Sequence, residues 1–139
     1  MTDNKDQTSD NVILRATERE FEWAADVMSS TEPWISLGRK RDQCLTVMRN
    51  PAHLLFVAHG AGNEPLGFIL LHPEGLAASP YVRSLAVAPA ARGTGVGTEL
   101  LRFAEQLFTG KSRHLFLCVS SFNLRAQALY ERLGYAKVG

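Results

Sequence analysis

Cysteine is scarce in this chain of 139 residues: only Cys44 and Cys118 are present. Two are too few for a disulfide scaffold. No apolar run approaches the roughly 18 residues of a membrane-spanning helix. The N-terminus lacks the basic start and apolar core of a secretory signal, so a cytoplasmic protein without a membrane partner is expected. A charge excess is missing too. Fifteen Lys and Arg stand against fourteen Asp and Glu, a net +1, so bulk electrostatics gives no reason to expect a nucleic-acid partner. His53, His59, His72 and His114 are scattered, and no Cys/His spacing matches a metal site, so no metal is expected. Repeats and second-domain linkers are absent as well. What remains is ordinary globular composition, 45% hydrophobic and 21% charged, in a chain long enough for one core.

Residues 1–11 are polar without periodicity and read as a disordered tail, leaving residues 12–139 as a single domain. Val12–Arg15 is a short apolar, edge-like strand. Thr17 and Glu20 form a capping box, opening a helix with Phe21, Ala24, Ala25 and Met28 on one face. Trp34, Ile35 and Leu37 fall in the loop before a second helix, about residues 39–48, with Cys44, Leu45 and Met48 inward. Asn50-Pro51 stops it. Strands at residues 53–59 and 66–72 flank turn chemistry at residues 60–65, predicting a hairpin. Residues 73–80 read as a loop and 81–88 as the central strand. A helix over residues 94–108 buries Val96, Leu100, Ala104, Leu107 and Phe108. Residues 115–119 are nearly all apolar, as in a strand covered on both faces. Ser120-Ser121-Phe122 leads to Asn123, an N-cap, for a helix with Ala126, Leu129, Tyr130 and Leu133 on one face. Gly134 suits its C-terminal cap, and residues 135–139 begin another strand.

The most informative stretch is residues 85–97. It reads as a buried strand, a proline stop, a turn carrying Gly93, Gly95 and Gly97, and a helix start. Glycine lets backbone take positive φ and approach a ligand closely. Helix N-termini leave N–H groups unpaired and favour an anion, so this is a phosphate or pyrophosphate site. Gly97-Thr98-Glu99 lacks the lysine of a Walker loop. The spacing is also not the G-x-G-x-x-G of a dinucleotide fold.

Arg92-Gly93-Thr94-Gly95-Val96-Gly97 instead resembles the Arg-x-x-Gly-x-Gly pyrophosphate loop of the GNAT N-acetyltransferases. Residues 85–89 resemble that family's fourth strand. Asn-Leu-Arg-Ala-Gln-Ala-Leu-Tyr-Glu-Arg-Leu-Gly-Tyr, residues 123–135, resembles its second conserved block. The resemblance is specific over residues 81–139 and only architectural before them. It implies an α/β (α+β) fold, with a mixed, mostly antiparallel sheet flanked by helices. The family's last strand is absent here, so either the chain is truncated or another chain completes the sheet, and a homodimer is worth expecting.

The resemblance also implies acetyl-CoA as cosubstrate and an amine acceptor: a small molecule, an amino acid or a protein N-terminus. Backbone of Arg92, Gly93, Thr94, Gly95, Val96, Gly97 and Thr98 would hold the pyrophosphate, with Arg92 adding charge or merely solvated. Main chain of Leu85, Ala86 and Val87 would bind the pantetheine arm and polarise the thioester carbonyl. Asn123 would contact CoA besides capping its helix. Tyr130 would protonate the departing thiolate, against the plainer reading of a core aromatic. The general base is not legible. Arg83 and Ser84 occupy positions where many relatives carry a glutamate. Cys118 stands where the ribosomal-protein alanine acetyltransferases carry theirs, and it reads as a buried apolar cysteine. Tyr81, Ser84, His72 and Glu74 are candidates for relaying the proton through water. Trp34, Ile35 and Leu37 suggest an apolar acceptor wall, and Glu32 an ammonium partner. The alternative reading is a non-catalytic acyl-CoA-binding regulatory module.

Overall fold

A computed structural model describes residues 10–119 and 123–138. Five strands form one sheet in the order β1-β2-β3-β4-β5: β1 (Val12–Arg15), β2 (Leu54–His59), β3 (Pro65–Leu76), β4 (Ser79–Val87) and β5 (Phe116–Leu117). The first three pairings are antiparallel and β4–β5 is parallel. Helices α1 (Glu18–Ser29) and α2 (Arg41–Arg49) precede β2. Helix α3 (Val96–Phe108) joins β4 to β5, and α4 (Leu124–Arg132) follows β5.

β3 sits in the middle of the sheet, and its alternation divides the core. Phe68 and Leu70 face α1 and α2, packing with Leu55, Val57, Ala24, Ala25, Met28, Cys44 and Met48. Ile69 and Leu71 face α3, packing with Ala58, Val82, Val96, Leu100, Leu101 and Ala104. All four β3 residues are fully buried. The unbroken apolar run of a doubly covered strand therefore belongs to β3, not to residues 115–119. That segment contributes only the two half-buried residues of β5 at the sheet edge.

Two further expectations are corrected. Residues 73–80 are not an open loop: β3 and β4 continue to a two-residue hairpin at Ala77 and Ala78, with φ of 50° and 65°. Two positive φ angles define a primed turn, usually announced by Asn or Gly, and the alanines gave no such signal. Residues 135–138 form no strand. The Tyr135 hydroxyl instead donates to Glu105 of α3 at 2.8 Å. The expected disordered tail falls mainly on residues 1–9, outside the described residues. Asn11 is described and donates to Glu99 at 2.9 Å. Residues 120–122 also lie outside.

The capping box at α1 has a second use. Glu20 accepts from the Thr17 N–H at 2.9 Å. Its other carboxylate oxygen bonds Nε2 of buried His59 at the end of β2. The Nδ1 atom of His59 has no partner among the described residues, so Glu20 is the anchor of that ring. Burial raises the Glu20 pKa, but bonds from Thr17 and His59 outweigh it and the net shift is downward. A lowered folded-state pKa contributes stability that is complete above the unfolded value and is lost as pH falls through the folded value. Glu20→Ala should cost about 1–3 kcal/mol, the penalty for stranding a buried polar group, read by urea unfolding at pH 7. Glu20→Gln should flatten the loss of stability between neutral and acid pH.

Candidate active site

The site begins where β4 and β5 part. They pair only at Tyr81 with Phe116 and Val82 with Leu117. Beyond that, β4 shifts register against β3, with Leu70 opposite Ser84 but Leu71 opposite Val82. Arg83 is the extra residue and is exposed, as expected of a bulge, which bends a strand away from its neighbour. A cavity of about 310 Å³ fills the gap.

The ladder decides which main-chain groups face it. The Ala88 N–H bonds the Leu66 carbonyl at 2.8 Å, so Leu66 and Ala88 are a hydrogen-bonded pair. Such pairs alternate along an antiparallel ladder. Ala86 and Ser84 therefore bond β3, while Leu85 and Val87 turn their N–H and C=O groups toward the side that β5 has left. Of the strand triplet singled out in the sequence, Leu85 and Val87 fit main-chain recognition. Ala86 is spent on β3 and the core, with 6% exposure.

After β4, a 3-10 turn at Pro89–Ala91 leads into the glycine loop. Gly93 and Gly95 have φ of 80° and 90°, and a side chain on either would meet open space. Conformation, rather than packing, requires glycine there. Gly97 is helical, and a methyl there would make ordinary contacts with Val87 and Leu129. Glu99 N–H makes the first helical bond, to Gly95 at 3.0 Å. The N–H groups of Val96, Gly97 and Thr98 thus lie in the unpaired first turn, a positive dipole end. The Val96 side chain is buried, so only its main chain can serve a ligand. Thr94 donates its hydroxyl to the Ala91 carbonyl, bracing the loop. Arg92 is exposed and its Nε donates to the Val87 carbonyl at 3.4 Å, which holds the guanidinium beside the loop.

α4 supplies the opposite wall. Asn123 caps it by accepting the Ala126 N–H at 3.2 Å, and Asn123, Ala126 and Tyr130 all line the cavity. Tyr130 is both wall and core: its ring also meets Tyr135 edge-on at 6.1 Å. Burial raises its pKa, so the phenol stays protonated at neutral pH.

Of the proton-relay candidates, Tyr81 and Ser84 line the cavity. His72 and Glu74 do not; the Glu74 N–H bonds the His72 ring at 3.3 Å, and that ring packs on His53. Burial first, then a hydrogen bond with Cys118, pushes the Tyr81 phenol up to about 12. Cys118 is exposed and faces the cavity, contrary to the buried cysteine expected, because β5 ends one residue before it.

The connection between α1 and α2 closes the remaining side. It is a run of turns, with Leu37 N–H bonded to Pro33 and Arg39 N–H to Trp34, both at 3.0 Å. Trp34 and Leu37 line the cavity, but Ile35 does not and is 52% exposed. Glu32 lines it too, with its oxygens engaged by the Ser36 N–H at 3.0 Å and hydroxyl at 2.8 Å. Arg39 is a lining residue that the sequence did not single out. Arg83 was visible only as the position of a missing glutamate, although a lone charge inside an apolar central strand is itself a bulge signal.

The comparisons agree with this geometry. The model of the acetyltransferase (GNAT) family matches residues 14–135. Streptothricin acetyltransferase of Streptomyces lavendulae is 33% identical over 85 residues, 60% of this chain. The match spans 45% of that protein, less than half its length. An aminoglycoside N-acetyltransferase solved with CoA, AAC(6')-Iy, superposes with a TM-score of 0.73 at 20% identity, covering 98% of this chain and 94% of that one. A ribosomal-protein-alanine N-acetyltransferase from Brucella melitensis biovar Abortus 2308 superposes at 0.70 with 18% identity, covering 91% and 93%. A sheet parted beside a glycine-led helix start, and a family match over nearly the whole chain, lead to one conclusion: this protein belongs to the GNAT acetyltransferase family.

Proposed function

We propose that the protein is an N-acetyltransferase that moves acetyl from acetyl-CoA to a primary amine by direct attack. The observation that carries this reading is the cleft itself. Leu85 lines it with main-chain groups that β3 leaves unused, and beyond Val87 the chain passes through a 3-10 turn and the glycine loop to the N-terminal end of α3. Main-chain groups of the loop, from Arg92 to Thr98, hold the pyrophosphate. Arg92 adds positive charge, and Asn123 contacts CoA while capping α4. A cytoplasmic location fits two free thiols. A homodimer through the short β5 edge belongs to the same reading. Support for an amine acceptor comes from relatives named as N-acetyltransferases.

The chemistry needs a neutral amine, which loses its proton to solvent before attack, through water at Ser84 and Tyr81. Nitrogen bonds the thioester carbon, and a β4 N–H donor stabilises the oxyanion, an interaction that typically contributes a factor of about 10² to 10³. The C–S bond breaks, and the thiolate takes the Tyr130 proton. The new amide nitrogen gives up its remaining extra proton to water, and Tyr130 takes a proton back from water, which restores the phenol. Tyr130 suits this role because burial keeps it protonated. The second reading, a regulatory module that binds acyl-CoA without turning it over, rests on a cavity whose single carboxylate among the described residues, Glu32, is already bonded to Ser36.

Calorimetric titration with acetyl-CoA, then CoA release against a panel of amines, separates the two: binding with turnover supports the enzyme, binding alone the module. Gly95→Glu should abolish CoA binding. Gly110→Glu is the control, since Gly110 has a similar φ of 81° and open space but follows the far end of α3, and it should bind normally. Tyr130→Phe should lower kcat by about 10²-fold or more, the usual worth of a general acid, with CoA affinity kept. In the parent protein kcat should show no descending limb below about pH 10, because the raised Tyr130 pKa lies above the ordinary phenol value. A descending limb near pH 8 would remove Tyr130 as the acid.

A further inference from the structure

The charges on the cavity wall bear on which amine can enter. Its charged lining residues are Glu32, Arg39 and Arg83. Both Glu32 oxygens are bonded to Ser36. Among the described residues neither Arg39 nor Arg83 has a carboxylate partner, whereas Arg41, Arg49 and Arg102 are each paired with Asp or Glu. The two arginines come from different walls. Arg39 ends the α1–α2 connection, and Arg83 is the bulged residue of β4. A bulge commonly re-aims a side chain next to a site. Between them the wall is apolar, with Met28, Trp34, Leu37 and Val47. The whole space is about 310 Å³, at the small end of the roughly 300–1,000 Å³ usual for ligand pockets, and the thioester end of the cosubstrate must share it.

A polycationic acceptor would bring several ammonium groups against two unpaired arginines and one occupied carboxylate. Like charges juxtaposed in this way are a rejecting element. A carboxylate meets the opposite situation, since guanidinium groups match it in geometry and charge. We propose that the acceptor is a small primary amine carrying a carboxylate and an apolar body, an apolar α-amino acid being the simplest form, with its carboxylate bound by Arg39 and Arg83. This inference rests on the transferase reading for its chemistry but on the arginines for its selectivity. It sets the protein apart from relatives named for aminoglycosides and streptothricin.

The test compares apolar L-amino acids with their carboxamides and with spermidine as a polycation, by CoA release. The carboxylate should be preferred in kcat/KM by about tenfold, the worth of one charge-assisted hydrogen bond. In Arg39→Gln and Arg83→Gln the carboxylate-to-carboxamide ratio should collapse toward one. Each kcat/KM is scaled to the neutral-amine fraction of its substrate, which removes the different basicities, and unaltered circular dichroism shows that the variants are folded. Equal use of acid and amide, or a preference for spermidine, overturns the proposal. If acetyl-CoA binds and no amine is acetylated, the transferase reading fails by itself. Titration of the CoA-bound protein with N-acetyl-L-leucine then decides the carboxylate site. Binding that weakens about tenfold in either variant supports it. No binding, or binding equal in parent and variants, overturns it.

Discussion

Two residues of parallel pairing, Tyr81 with Phe116 and Val82 with Leu117, hold β5 to the sheet, and then the strands part. Most of the site follows from that parting. A strand with a neighbour spends its N–H and C=O groups on the ladder, whereas a strand that loses its neighbour must satisfy them elsewhere. Leu85 and Val87 are in that position. The register shift at Arg83 is what bends β4 away. The sheet thus tolerates an exposed length of backbone near its centre, and a ligand with amide groups of its own is a natural partner for it.

The same strand delivers the chain to the glycine loop. Positive φ at Gly93 and Gly95 turns the backbone so that α3 starts with its unpaired N–H groups outward. The helix is held in place from behind by Val96, Leu100, Leu101 and Ala104, all buried against the sheet. Loop conformation and helix packing therefore reinforce each other. The core fixes the axis of α3, and the glycines let the chain reach its start from β4.

Local chemistry made much of this readable in the residues. The Thr17–Glu20 box, Asn123 as N-cap, Gly134 at φ 99° and the glycine loop are short-range signals, and the structure has each of them. Features that depend on distant partners were less legible. The hairpin at Ala77 and Ala78 is imposed by β3–β4 pairing, since alanine has no preference for positive φ. Residues 115–119 looked like a strand covered on both faces because apolar content does not say whether a neighbour exists. Cys118 came out exposed for the same reason. The bonding of Glu20 to His59, and the orientation of Leu85 and Val87 but not Ala86, required the register.

The connection between α1 and α2 closes on itself: its turns bond Leu37 to Pro33, Arg39 to Trp34 and Ser36 to Glu32. A segment that satisfies its own backbone places few demands on the sheet beneath it. Apart from Trp34, which packs on the core, its side chains can then be exchanged with little effect on β4, the glycine loop or α4. On the proposed reading, the molecule divides into β4, the glycine loop and α4, which meet the cosubstrate, and a wall between α1 and α2 that meets the acceptor. On that reading, acceptor specificity changes by exchange of this short wall and of the bulged Arg83, with the rest of β4 kept.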